Sequence, residues 1–202
     1  IPEGTTSIAS CAFWGCSEIT SVSMPNSVTR IGEFAFRKCT SLAEIEASNN
    51  ITTVGEDAFY NTAWFDNQPN GIVYVGSVAY KYKGTPPSNL VIKNGTKGIA
   101  DYAFVDYDNI TQVSLPPSLE NIGVYSFFGC DSITKLTIPY SVTKIENHAF
   151  YSCNKLVELN AGVGLTNIGY GAFSDCELLQ NINLPDKPIN IAARAFSNTA
   201  WY

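Results

Sequence analysis

The sequence predicts an α/β solenoid built from units of about 23 residues, each holding a strand, a short extended segment and a short helical turn. Three observations predict it. An Ala-Phe dipeptide (once Ser-Phe) recurs at 12–13, 35–36, 58–59, 103–104, 126–127, 149–150, 172–173 and 195–196, in steps of 23, 23, 45, 23, 23, 23 and 23 residues. A fixed period in this range marks a stacked-repeat architecture, because one such unit cannot bury its own apolar face. The apolar positions around the dipeptide repeat with it, and the hydrophobic period changes within each unit.

The unit reads I-G-x-x-A-F-x-x-C-x-x-L-x-x-I-x-L-P-x-S-V-T-x. An Ile or Val stands four residues before each Ala, from Ile8 and Ile31 to Ile168 and Ile191. Ile31, Ala35, Phe36 and Cys39 are spaced by 4, 1 and 3, which predicts a short helical turn with one buried face. Ile133, Leu136 and Ile138 then shift toward alternation, which predicts a strand. Pro25, Pro116, Pro139 and Pro185 stop that strand. Ser27–Thr29 and Ser141–Thr143 are rich in β-branched residues and predict a second extended segment before the turn. Stacking at the roughly 4.8 Å spacing of a sheet ladder places Phe36 against Phe13 and Phe59.

The chain has 202 residues, enough for one domain or one repeat array with a buried core. Apolar residues make up 45% and charged residues 15%, which argues against dominant disorder. A net charge of −6 argues against a nucleic-acid partner, since phosphate binding needs clustered Lys and Arg. No apolar run approaches the ~18–20 residues of a membrane span.

The segments "CTSLAEIEA" and "CDSITKLTIPYSVTKIENHAF" resemble the leucine-rich repeat of BspA-like (treponemal-type) surface proteins, through repeated AFxxC and LPxSVTxI elements over essentially the whole chain. The resemblance implies a right-handed leucine-rich-repeat solenoid with a parallel sheet on its concave side. It also implies a secreted or cell-surface location and a role in adhesion to host proteins or other cells. The expected organisation is a single solenoid over 1–202 with one β-hairpin insert at about 62–90. Ile72–Val75 and Val78–Tyr82 flank Gly76-Ser77, a two-residue turn with Gly first. The hairpin is expected to project from the solenoid or to widen it, and Leu90 and Ile92 return to the strand slots. "AFSNTAWY" at 195–202 nearly repeats "AFYNTAWF" at 58–65, and no capping unit is written at either end, so the chain reads as a fragment of a longer surface protein.

Five cysteines, Cys16, Cys39, Cys130, Cys153 and Cys176, share one slot three residues after the Phe, which elsewhere holds Thr62, Tyr107 or Thr199. A Cys16–Cys39 bridge is compatible with the spacing, but three consecutive Cys cannot all pair, and buried packing is the better reading. Cys11 lies outside the ladder and is expected to be partly exposed. The single histidine, His148, stands five residues from Cys153, a poor spacing for a catalytic pair, and reads as a surface residue. Asp106 and Asp108 alternate as calcium ligands do, but without the turn Gly or the downstream Glu. Three Asn-x-Thr sequons begin at Asn50, Asn94 and Asn109 and matter only in a eukaryotic secretory setting. No phosphate-binding loop, dinucleotide fingerprint or metalloprotease motif is present, so neither an enzyme nor a bound cofactor or metal is expected.

The expected function is a non-catalytic binding module for a protein or glycoprotein, such as host matrix or a cell surface. Its contacts are expected on the outward strand slots Glu44, Gln112, Lys135, Glu158 and Asn181, with Glu46 in the next column. The hairpin residues Tyr74, Tyr80, Lys81, Tyr82 and Lys83 are added to them, Tyr being a favoured contact residue. The competing reading of those tyrosines is packing on the solenoid body. The competing function is a stiff spacer that displays other domains.

Overall fold

The computed structural model describes residues 1–201, which form about eight coils stacked one on the next. Each coil contributes two short strands to opposite ladders. The first ladder is broken into three parallel sheets: Ser21–Ser23 with Glu44–Glu46, Asn89–Val91 with Gln112–Ser114, and Lys135–Ile138 with Glu158–Ala161 and Asn181–Asn183. Its central residues, among them Leu90, Leu136 and Leu159, turn into the core while the flanking polar residues face solvent, as the two-residue strand period requires. The second ladder holds two-residue strands such as Arg30–Ile31, Asn121–Ile122 and Asn167–Ile168, whose Ile side chains are buried. Neighbouring coils pair in parallel with equivalent residues opposite each other, Ser21 beside Glu44 and Ile122 beside Ile145.

The segment expected to be a helical turn is instead a run of β-turns. Two residues of each run have left-handed backbone: one directly before the Ala-Phe pair (Phe34, Tyr125 and His148, φ 57°, 50° and 54°) and one two residues after the Phe (Lys38, Gly129 and Ser152, φ 63°, 66° and 57°). Hydrogen bonding explains why. Phe34, Phe36 and Lys38 donate their N–H groups to Glu56, Ala58 and Tyr60 of the next coil, while Arg37 and Cys39 donate to Phe34 and Phe36 of their own. A helix would keep every one of these bonds inside the coil. Left-handed L-residues cost about 1–2 kcal/mol each, and the cross-coil bonds at about 1 kcal/mol apiece offset that cost.

The core is a column of phenylalanines. Phe13, Phe36 and Phe59 stack with ring centroids 5.0 and 5.2 Å apart. Phe104, Phe127, Phe150, Phe173 and Phe196 form a second column at 5.1–5.3 Å. The adjacent cysteine slot is more than apolar filling. Cys39, Cys130, Cys153 and Cys176 donate Sγ–H to the backbone carbonyls of Phe13, Phe104, Phe127 and Phe150, at 3.0–3.3 Å. Where the slot holds Thr62 or Thr199, the hydroxyl donates to Phe59 or Phe196 at 2.8–2.9 Å. Cys and Thr thus place a short donor on a buried carbonyl, and at Tyr107 a longer side chain reaches the Tyr82 carbonyl instead.

Between the two phenylalanine columns sits an antiparallel pair, Gly71–Val75 and Val78–Lys83, turning at Gly76-Ser77. It is a rung of the stack rather than a projection. Val78 and Ala79 pair in parallel with Gly98 and Ile99. Tyr82 N–H donates to Ala103, the bond that the Phe of a preceding coil makes elsewhere. On the other side, the Phe59 N–H has no coil carbonyl to meet, and the Tyr80 hydroxyl accepts from it at 3.0 Å. A four-residue helix, Ala63–Asp66, precedes the pair, with Thr62 as its N-cap.

Candidate functional site

The strand side presents the expected polar columns. Glu44, Glu46, Gln112, Lys135 and Asn181 are exposed and Glu158 is half-buried. The C-terminal part of this side is already cross-linked. Lys135 Nζ lies 2.9 Å from Glu158 Oε1, Asn160 Nδ2 donates to the same oxygen at 2.6 Å, and Asn183 Nδ2 donates to Asn160. The Asn160 amide, followed by Lys135, holds the Glu158 carboxyl below its ordinary range. Glu44 and Glu46 alternate along one strand and, among the described residues, have no ion pair. The exposed side chain of Val91 (58%) lies opposite Ser114 in its own strand pair.

The hairpin residues occupy internal positions, because the pair is built into the stack. Tyr80 is 1% exposed and its ring packs edge-on against Phe59 and Phe65, so it is unavailable to a partner. Lys81 Nζ lies 2.6 Å from Asp57 Oδ1. Lys83 Nζ donates to the Phe65, Asp66 and Gln68 carbonyls at the C-terminal end of the short helix. Tyr82 packs against Tyr107, whose hydroxyl donates to the Tyr82 carbonyl. Tyr74 accepts from Lys93 N–H, and the Lys93 ammonium sits 3.7 Å from its ring centroid. Lys81, Tyr82, Lys83 and Tyr74 are half-buried, and each already has a partner of its own.

All six cysteines are free, with Cys11 and Cys16 exposed and the other four buried. Burial raises the thiols of Cys39 and Cys130, the latter to about 12, so they are poor nucleophiles.

The turn side carries a feature that the sequence reading missed. The left-handed residue before each Ala-Phe pair and the residue after the Phe form two columns, and several rungs of both are aromatic. At one end Trp14, Phe34 and Tyr60 surround the Arg37 guanidinium at 5.0–5.6 Å, and Arg37 pairs with Asp57 at 3.1 Å. Further along, Tyr102, Tyr125 and His148 stack in one column and Phe128 and Tyr151 in the other. Burial lowers the His148 pKa, which favours a neutral ring. Reading the repeat down these two columns gives the signal: rings at 102, 125, 128, 148 and 151, then Gly171 and Ser174.

Among the described residues no helix is long and apolar enough to cross a membrane. A family model described as the BspA type leucine-rich repeat region matches in six copies, over residues 1–82 and 73–201. A leucine-rich repeat protein from Eubacterium ventriosum is 16% identical, with 98% of this chain and 82% of that one covered at a TM-score of 0.50. The leucine-rich repeat protein of T. pallidum is 25% identical, with 94% and 69% covered at a TM-score of 0.42. One from Bacteroides ovatus is 25% identical, with 96% of this chain but only 56% of that one covered, at a TM-score of 0.46. The chain thus spans little more than half the length of the Bacteroides protein. A comparison with curated proteins finds no match.

Proposed function

The chain belongs to the BspA-type leucine-rich repeat family, and from that premise we propose that it is a non-catalytic binding module of a secreted or cell-surface protein, holding a protein or glycoprotein partner on its strand side. The observation that carries this reading is the strand side itself. Its exposed side chains alternate with buried ones and are nearly all polar, on a rigid stack. A surface of that kind suits a large partner, because a fixed backbone loses little freedom on binding. The Glu44/Glu46 pair is the best contact region, since the Lys135–Glu158–Asn160 network spends its hydrogen bonds internally. Resemblance to surface proteins of host-associated bacteria supports an extracellular adhesive role.

Immobilised chain incubated with a detergent extract of host extracellular matrix tests this. A retained protein should be lost from the Glu44→Lys/Glu46→Lys double variant with the melting temperature unchanged. Retention equal to wild type removes the strand side from the proposal. An absence of any retained protein favours the spacer reading.

A further inference from the structure

The two aromatic columns of the turn side end at the same coil. Tyr102, Tyr125 and His148 stack with centroids 5.0 and 4.7 Å apart and planes tilted by 28° and 9°. Phe128 and Tyr151 stack beside them at 5.5 Å and 20°. One rung further, the same two positions hold Gly171 and Ser174, and one rung beyond that Arg194 and Ser197. The missing side chains leave a groove of about 580 Å³ beside His148 and Tyr151, lined also by Arg194 and by Tyr170, whose ring packs at 5.3 Å and 74° to His148. Gly171 gives the His148 ring room that a larger residue would take. A Cβ there would fall 2.6 Å from the His148 ring, so the ring leans over Gly171. Asp175 and Asn198 also line the groove, joined by a 2.6 Å hydrogen bond from Asn198 Nδ2. The Tyr151 hydroxyl and the Asn198 amide keep the Asp175 carboxyl ionised.

We propose that this groove is a saccharide-binding site, in which one pyranose ring takes the place of the missing aromatic rung. The rise between rungs is the thickness of one ring, as the 4.7–5.5 Å spacings in the columns set. The occupant therefore needs a flat face that an aromatic ring attracts and a rim of hydrogen-bonding groups. The C–H face of a pyranose carries weak positive polarisation and lies well on the negative face of an aromatic ring. Its hydroxyls both donate and accept, which matches Asp175 as acceptor, Arg194 as donor and Asn198 as both. Arg194 and the Asp175 carboxylate in the same lining offset each other, so the groove has no net charge to select a charged ligand. An aromatic peptide side chain would desolvate Asp175 and Arg194 without replacing their water bonds, at about 1–3 kcal/mol for each. This site is separate from the strand side and stands or falls independently of it.

Saturation-transfer NMR on the intact chain, with methyl β-galactopyranoside, methyl α-mannopyranoside and N-acetylglucosamine as probes, tests the assignment. At least one should receive saturation, strongest on the C–H protons of one ring face. Ser174→Tyr fills the empty position with the residue type that its neighbour Tyr151 already has, so the fold should tolerate it while binding falls at least tenfold. Asp175→Asn, which removes the charged acceptor but keeps its shape, should weaken binding by about tenfold and supplies the test should Ser174→Tyr fail to fold. The proposal is overturned by no saturation of any probe at about 20 mM, well above the millimolar affinities of weak sites. It is equally overturned by unchanged binding in a folded Ser174→Tyr, or in Asp175→Asn should Ser174→Tyr fail to fold, or by p-cresol binding more tightly than every sugar.

Discussion

At the scale of single residues, position within the repeat decides chemistry. The four buried thiols differ from Cys11 and Cys16 in accessibility and in hydrogen bonding, since each donates to a Phe carbonyl. Reaction of the folded chain with a thiol reagent at pH 8 should modify Cys11 and Cys16 quickly and the others only on unfolding. Fast modification of Cys153 in the folded state would contradict the buried ladder. Asp101 is the acid whose ionisation most opposes folding, ahead of Glu56, whose pKa burial also raises. Burial, then the charges of Glu146, Glu33 and Glu56, raises the Asp101 pKa to about 6, against the Val124 N–H that its Oδ1 accepts at 2.7 Å. An acid with a raised native pKa binds more protons folded than unfolded, so stability falls as pH rises from about 4 to about 6 and stays lower above that. The cost at neutral pH is at most about 3 kcal/mol, from 1.36 kcal/mol per pH unit. Asp101→Asn keeps an oxygen for Val124 and loses the charge. It should melt higher than wild type at pH 7.5 and nearly the same at pH 4, and equal melting at both would remove Asp101 from the pH dependence.

At the scale of elements, the hairpin is held by groups that also resemble binding residues. Tyr80→Phe removes the acceptor for the buried Phe59 N–H and should cost about 1–3 kcal/mol in denaturant unfolding. Tyr82→Phe, whose side chain is half-buried, should cost less, and equal costs would mean that the Phe59 bond is immaterial. The strand side was legible in the sequence because Leu136, Thr137 and Ile138 alternate burial with the period of a strand. The turn side was not. Ile31, Ala35, Phe36 and Cys39 are buried whether the N–H groups bond within a coil or across coils, so apolar spacing cannot separate a helical turn from a β-turn ladder. The hairpin strands were legible from Gly76-Ser77, but their docking was not. Nothing local to Tyr80 reveals that the 45-residue step leaves the Phe59 N–H facing it. The aromatic groove depends on which side of the coil Tyr125 and Phe128 share, and only the left-handed backbone at Tyr125 settles how that side is built.

At the scale of the whole molecule, the stack is one-dimensional, and its cooperativity depends on how strongly each rung couples to the next. Every coupling within a phenylalanine column uses a stacked ring pair, a Phe N–H bond across coils and a paired strand. The junction between the columns lacks the stacked pair. It relies on Tyr80 edge-on to Phe59, the Phe59–Tyr80 hydrogen bond, Lys81 with Asp57, and the Asp101 N–H donated to Val54. Removing a ring inside a column leaves the remaining rungs joined, so Phe150→Ala should lower stability by about 3–5 kcal/mol and keep a single unfolding transition. Tyr80→Ala removes the ring contact and the buried hydrogen bond of the junction at once, and the coils before the hairpin should then unfold separately from those after it. Hydrogen exchange read peptide by peptide through a denaturant titration distinguishes the two. In Tyr80→Ala, amides of residues 30–59 should lose protection at a lower denaturant concentration than those of residues 121–173, while in Phe150→Ala the two groups should move together. Coincident loss in Tyr80→Ala would mean that Lys81 with Asp57, the Ser77 hydroxyl donated to Asn49 and the Asp101 N–H donated to Val54 suffice to couple the halves without the tyrosine.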